Sequence, residues 1–547
     1  MRRLLVLAVT LVAVLGILAP PVMAQAPAPK VTITGFIDQI GTYTKNMSHY
    51  DLDYSRSGDT QAYGRTRGRF DVIGEVGKAK GVLGLEMDFY YGQTGASDGS
   101  GAGPQGFGAS GGFDLNTDVR TAIEVKWLYT EFPLPIPLPT TMRLGAQPFS
   151  TLATDKLAVY ANGDFPGVAL IFDITPAAKL NLTYVQVEEA LTGGRDGWIR
   201  GEDWALIASF GFSPFKGFDI KPMYSFFQAK GVTSGSARQG RGGVDTASNF
   251  SLPTAAGWGT GLTENRHTIG VDSRFTAGPI TLQPTVMYQF GTREAVISPL
   301  AVLTPASGAY GTPGEIKEAD ISAWLVDVRA GFNVGPLSIG LLGMLTTGNR
   351  AKTNPFRHIN YYQPLDTDTS YLADWGTQIF SLGIDYFNIL YPNAGGLNPG
   401  VAIGYDKYGR MGGGAKVAYA ITPAFTVGAG ATAFWTHKKV DTDSTLIPTA
   451  GLLPSEGTNA KGDSQYLGTE INLSATYRFA PGLAFDVAGG YLFAGDALGH
   501  ARTVGCCQGV GTAGTPASQF PAGVTGRGSR HGVDDVIIGT ARVRYSF

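Results

Sequence analysis

The chain has 547 residues, with 42 Lys and Arg against 44 Asp and Glu and a formal net charge of −2. That balance, with no basic tract, leaves nothing for a nucleic acid to hold. Charged residues make up only 16% and glycines number 77, which is less charge and more Gly than an ordinary long soluble chain carries.

Residues 1–24 read as a secretory signal peptide. Arg2 and Arg3 precede an apolar run from Leu4 to Ala19, and Val22 and Ala24 form a small-residue cleavage pattern. Residues 25–30, "QAPAPK", are a short tether, and 31–547 form one domain. Past the leader, no stretch offers the roughly 18 consecutive apolar residues that a membrane helix requires. A span made of this chain must therefore be a closed barrel, the other arrangement that satisfies every backbone group in lipid.

A first strand is predicted over 31–44. In "RGRFDVIGEV" (67–76), Arg67, Arg69, Asp71 and Glu75 alternate with Gly68, Phe70, Val72, Gly74 and Val76. An extended chain puts these sets on opposite faces, one ionic and one oily. The pattern recurs. Glu86 and Asp88 oppose Leu85, Met87 and Phe89; Glu124 and Lys126 oppose Ile123, Val125, Trp127 and Tyr129. Further on, Glu470, Asn472, Ser474, Thr476 and Arg478 oppose Ile471, Leu473, Ala475, Tyr477 and Phe479. In "LAFDVAGGYLF" the aromatics lie toward the ends, as girdles at two membrane interfaces require. The last strand, 533–547, ends on Tyr545 and Phe547.

Short Pro- or Gly-bearing turns near 76–81, 132–141, 174–179, 212–217, 276–280, 333–338, 420–425 and 479–484 alternate with long polar connections. That asymmetry belongs to an outer-membrane barrel with tight periplasmic turns and extended outer loops. The fold class is all-β: a transmembrane antiparallel up-and-down β-barrel of about 18 strands, or twenty if 351–407 is a further hairpin and sixteen if one short pair is not a hairpin. A barrel of that size encloses an aqueous channel rather than a packed core.

Further along, "MRLGAQPFS" followed by "LATDKLAVYANGDF" resembles the fifth strand and third loop of the Gram-negative general porin family. The eight short turns extend the resemblance over the mature chain, with eighteen predicted strands where that family has sixteen. The resemblance implies a third loop folded inward as a constriction, its acidic residues facing basic residues of the wall. By position the loop residues are Asp155, Lys156 and Asp164, and the wall residues are Arg65, Arg67, Arg69, Glu124, Lys126 and Arg143. It also implies a homotrimer in the outer membrane. Tyr545 and Phe547 resemble the C-terminal signal read by the barrel-assembly machinery, and the lipid of that membrane would surround the barrel.

No motif asks for a cofactor, a metal or a catalytic residue. His49, His267, His358, His437, His500 and His531 fall in predicted loops or at strand ends, with no Ser or Cys in a triad. The adjacent Cys506 and Cys507 suit neither a disulfide framework nor a zinc site. "GAGATA" (428–433) mimics a nucleotide fingerprint, but lies in an alternating strand with no helix after it. The expectation is a porin passing small polar solutes and ions by diffusion, mildly anion-preferring through Arg65, Arg67 and Arg69. The alternative is a surface adhesin or receptor whose function lies in its long loops, 231–265 and 351–407 foremost.

Overall fold

A computed structural model describes residues 27–47, 60–91, 112–113, 123–148, 160–161, 164–188, 203–230, 259–297, 312, 314–350, 353, 357–365, 372, 375–381, 383–385, 407–440, 462–498, 500–501, 530–531 and 535–547. The signal peptide, Asp155, Lys156, Cys506 and Cys507 lie outside the described residues.

Eighteen long strands are present among the described residues. They are β1 (Lys30–Lys45), β2 (Thr60–Val76), β3 (Ala79–Tyr91), β4 (Ile123–Pro133), β5 (Thr140–Pro148) and β6 (Asp164–Thr175). Next come β7 (Ala178–Glu188), β8 (Asp203–Phe215), β9 (Phe218–Lys230), β10 (Gly259–Ala277), β11 (Ile280–Ile297) and β12 (Ile316–Val334). The last are β13 (Leu337–Thr346), β14 (Arg410–Ala420), β15 (Phe425–Val440), β16 (Ser464–Ala480), β17 (Leu483–Ala494) and β18 (Val536–Ser546). Each pairs antiparallel with the next, and β18 pairs with β1, so the sheet closes on itself. All eight short turns stand where the Pro and Gly residues put them. The further hairpin that 351–407 could have held is not found among the described residues: only His358–Ile359 pairs there, parallel to β12.

Side chains are distributed inside out relative to a water-soluble globule. Val31, Ile33, Ile123, Val125, Leu128 and Leu473 are all more than half exposed. The wall-facing charges Asp38, Arg65, Glu86, Asp272, Asp327, Arg329 and Glu470 are buried. Outward aromatics form two bands. Toward the long connections, Trp204, Phe226, His267 and Phe290 touch in series, with centroids 5.4, 4.9 and 4.9 Å apart. At the turn end stand Phe215, Phe218 and Phe275, and Tyr545 beside Phe547. Such belts sit at the two edges of a hydrocarbon layer. His267, expected at a strand end, lies in the middle of β10 and in a belt, because β10 begins six residues before the predicted loop ends.

Inward positions are buried toward the long-connection end of β1, β8, β12 and β18 and open toward the turn end. Something fills the far half of the lumen.

Candidate functional site

The inward face of β2–β5 carries most of the residues singled out from sequence. Arg67 faces Asp88 and Arg69 faces Glu86 across the β2–β3 pair. Arg67 donates to Glu86 Oε1 at 2.7 Å and to both oxygens of Asp88, and Arg69 Nε lies 3.0 Å from Glu86 Oε2. Glu124 is opposite Glu86 on β4. Lys126 Nζ lies 2.9 Å from Asp164, which joins a predicted wall residue to a predicted loop residue. Arg143 donates twice to Glu131, at 2.6 and 2.8 Å. The ladder is therefore a lattice of alternating signs rather than a bare row of cations.

One expectation is corrected. Trp127 and Tyr129 face the lumen, not the lipid. The β3–β4 register slips by one residue, so that Leu85 pairs with Val125 and Gly84 with Trp127. A bulge of this kind re-aims every side chain after it. The indole Nε1 donates to Asp71 at 2.9 Å, Arg69 lies 5.1 Å from the ring centre, and Arg143 lies 4.9 Å from the Tyr129 ring. Gly84 makes room: a Cβ there would stand 2.0 Å from the indole nitrogen. Gly84→Val is expected to cost about 1–3 kcal/mol by overpacking, read as a lower urea midpoint for loss of the compact, heat-modifiable barrel band on gels.

The filling of the far half comes from the connection between β13 and β14. After His358–Ile359 pair along β12, its described residues 360–365, 375–381 and 383–385 turn into the barrel, which corrects, for these residues, the reading of 351–407 as an outer loop. Gln363 Oε1 accepts from Arg266 on β10 at 2.5 Å and from Arg293 on β11 at 3.0 Å. Gln289 on β11 donates to the Gln363 carbonyl and accepts from its N–H, at 2.6 and 2.9 Å. Tyr361 accepts from Arg293. Trp375 lies under the Lys416 ammonium of β14 at 4.4 Å, and Phe380 meets Phe434 of β15 at 5.2 Å. Glu470 of β16 accepts the backbone N–H groups of Gln378, Ile379 and Phe380, at 2.5, 3.2 and 2.9 Å. At the end of the run, Asp385 accepts from Arg65 and Tyr63 of β2 and Thr42 of β1, at 2.5, 2.5 and 2.6 Å. Burial holds the Tyr361 and Tyr362 hydroxyls above their ordinary pKa, so both remain neutral.

The expected inward third loop is met in part. Tyr160 and Ala161 are buried, the Tyr160 hydroxyl donates to Ser225 of β9 at 2.7 Å, and its carbonyl accepts the Leu365 N–H at 2.8 Å. The end of the third loop thus leans on the second inward segment. Arg65, expected on the open wall, is instead engaged by Asp385 and Asp88. Tyr545 and Phe547 lie at the seam, where Phe547 and Gly35 exchange both backbone hydrogen bonds at 3.0 Å.

No protein-family model matches the chain, and no curated protein does. Among solved structures, it is similar to OccK8 (OprE) of Pseudomonas aeruginosa, at 10% identity and a TM-score of 0.44 over 95% of this chain and 98% of that one. A BenF-like porin from Pseudomonas fluorescens Pf-5 gives 9% identity and a TM-score of 0.43, covering 95% and 98%. OccAB4 of Acinetobacter baumannii gives 10% and 0.42, covering 94% and 98%.

Proposed function

We propose that this chain is an outer-membrane porin of a Gram-negative bacterium, a water-filled channel for passive diffusion of small hydrophilic solutes and ions. The observation that carries the reading is the inversion of polarity across a closed sheet of eighteen strands. Apolar side chains face out, where lipid would be, and ionic side chains face a lumen of channel size. Residues 1–24 serve as the cleaved export signal, Tyr545 and Phe547 as the mark read by the assembly machinery, and the barrel associates as a homotrimer. No catalytic role is assigned. The adhesin alternative loses support because most described residues of 351–407, from Ile359 to Asp385, are drawn into the barrel.

A mild anion preference has a physical basis in three of the wall pairs, although Asp88 is the more exposed partner of Arg65 and Arg67. Arg69 is 30% exposed against 9% for Glu86, and Arg544 26% against 0% for Asp38. Arg274 is 36% exposed against 24% for Asp219. In these pairs the cation stands nearer the water, so a passing anion meets positive charge first.

Planar-bilayer recording of the purified chain tests the reading: discrete open steps support it, and a silent bilayer removes it. In a salt gradient the reversal potential should fall on the anion side. Arg67→Gln/Arg69→Gln should move it toward cations, because the wall loses two cations while Glu86 and Asp88 stay, held only by Lys126 and Arg65 among the ion pairs described. An unmoved potential would refute the ladder as the source of preference.

A further inference from the structure

The wall beside residues 375–381 is unusually bare. Inward positions 412, 414, 428, 430 and 490 on β14, β15 and β17 are all glycine. A Cβ at Gly490 would stand 3.1 Å from the Cβ of Gln378. Missing side chains keep this wall low, and at Gly490 the segment comes directly against it. Ile379, Phe380 and Trp375 join the buried apolar cluster with Leu342, Met344, Phe434, Leu492 and Ile538.

Beside that low wall one residue holds the backbone itself. Glu470 is fully buried, and its carboxylate accepts three successive main-chain N–H groups. A buried carboxylate needs that many donors to offset the loss of water. Because the partners are peptide groups, the contact fixes the path of the chain rather than the identity of its side chains. It lies between the Gln363 clamp on β10–β11 and the Asp385 clamp on β1–β2.

We propose that residues 375–381 and 383–385 set the bore of the channel and that Glu470 is the residue that positions them. The inference rests on the channel reading above. With Glu470 in place the segment lies flat against the glycine wall and the lumen keeps its full residual width. Without it, three peptide N–H groups lose their acceptor in a confined site and turn toward water. The segment then leaves the wall, crosses the lumen and narrows the path.

The test is single-channel recording of the full chain in planar bilayers, with Cys506→Ser and Cys507→Ser as background. Glu470→Ala is expected to lower unit conductance by about half and to add flicker between levels. A second variant adds Gln378→Cys and Gly490→Cys to Glu470→Ala. The 3.1 Å spacing is slightly inside the ~3.8 Å usual between disulfide Cβ atoms, so oxidation should pin the segment back against the wall. Conductance should return to the parent level when oxidised and fall again on reduction. A weakened barrel would not regain it in this redox-dependent way. Should Glu470→Ala fail to fold, Glu470→Gln keeps the size of the side chain and sets an amide N–H against the segment's donors, and its recording is read in the same way. Parent-level, steady conductance in the reduced variants overturns the proposal. A parent chain without channel steps overturns the channel reading instead.

Discussion

Glu264→Ala is expected to lower the stability of the barrel by about 3–5 kcal/mol, the usual cost of stripping the partner from a buried ion pair. Glu264 on β10 is fully buried between two arginines that are themselves 1% exposed. Its Oε2 accepts from Arg293 Nε at 2.7 Å, and its Oε1 lies 3.0 Å from Arg266. Gln363 and Tyr361 add neutral acceptors to the same guanidiniums, but bring no negative charge. Removing the carboxylate leaves two cations facing each other under the inward segment. Unfolding in urea, followed by loss of the heat-modifiable band, measures the effect; a change below about 1 kcal/mol would mean that water reaches this cluster after all.

Excising the inward segment should have the largest effect on transport. Replacing residues 366–385 by a short Gly-Ser linker removes the aromatic and aliphatic bulk that lies against β14–β17 and also the Asp385 clamp. Unit conductance is expected to rise about two- to threefold, as the lumen of an eighteen-strand barrel is restored to its own width. Liposome swelling should then admit sugars that the parent chain excludes. The wall should survive, because Glu470, Lys416 and Arg65 are charged groups that a hydrated lumen can solvate. Unchanged conductance and an unchanged sugar cut-off would show that the narrowing lies elsewhere, in the third loop.

Much of the barrel was legible because the period of two in a strand is a local property. "RGRFDVIGEV" declares its ionic face without reference to any neighbour, and the odd positions do face inward. The turns were legible for the same reason, since Pro and Gly act on their own backbone. What escaped depends on partners far along the chain. Trp127 turns inward because of where β4 sits against Gly84, a register that no window around Trp127 contains. Glu470 reads as one more polar lumen position, and its role comes from peptide groups about 90 residues away. The stretch from Tyr361 to Asp385 mixes aromatics with polar residues at no fixed period, so it fits neither template and was assigned to the outside. Gly428 and Gly430 were visible in "GAGATA", but nothing local to that strand shows that they stand beside Gly412, Gly414 and Gly490 of nearby strands.

The half-filled lumen has an electrical consequence. A conduit that is broad at one mouth and tight at the other drops an applied voltage mainly over its tight length. Ions entering from the turn end cross a nearly field-free antechamber before they meet the gradient. Charges such as Arg274 and Asp219, which line that antechamber, govern how many ions gather there. The work done on each ion is set deeper in, beside the glycine wall.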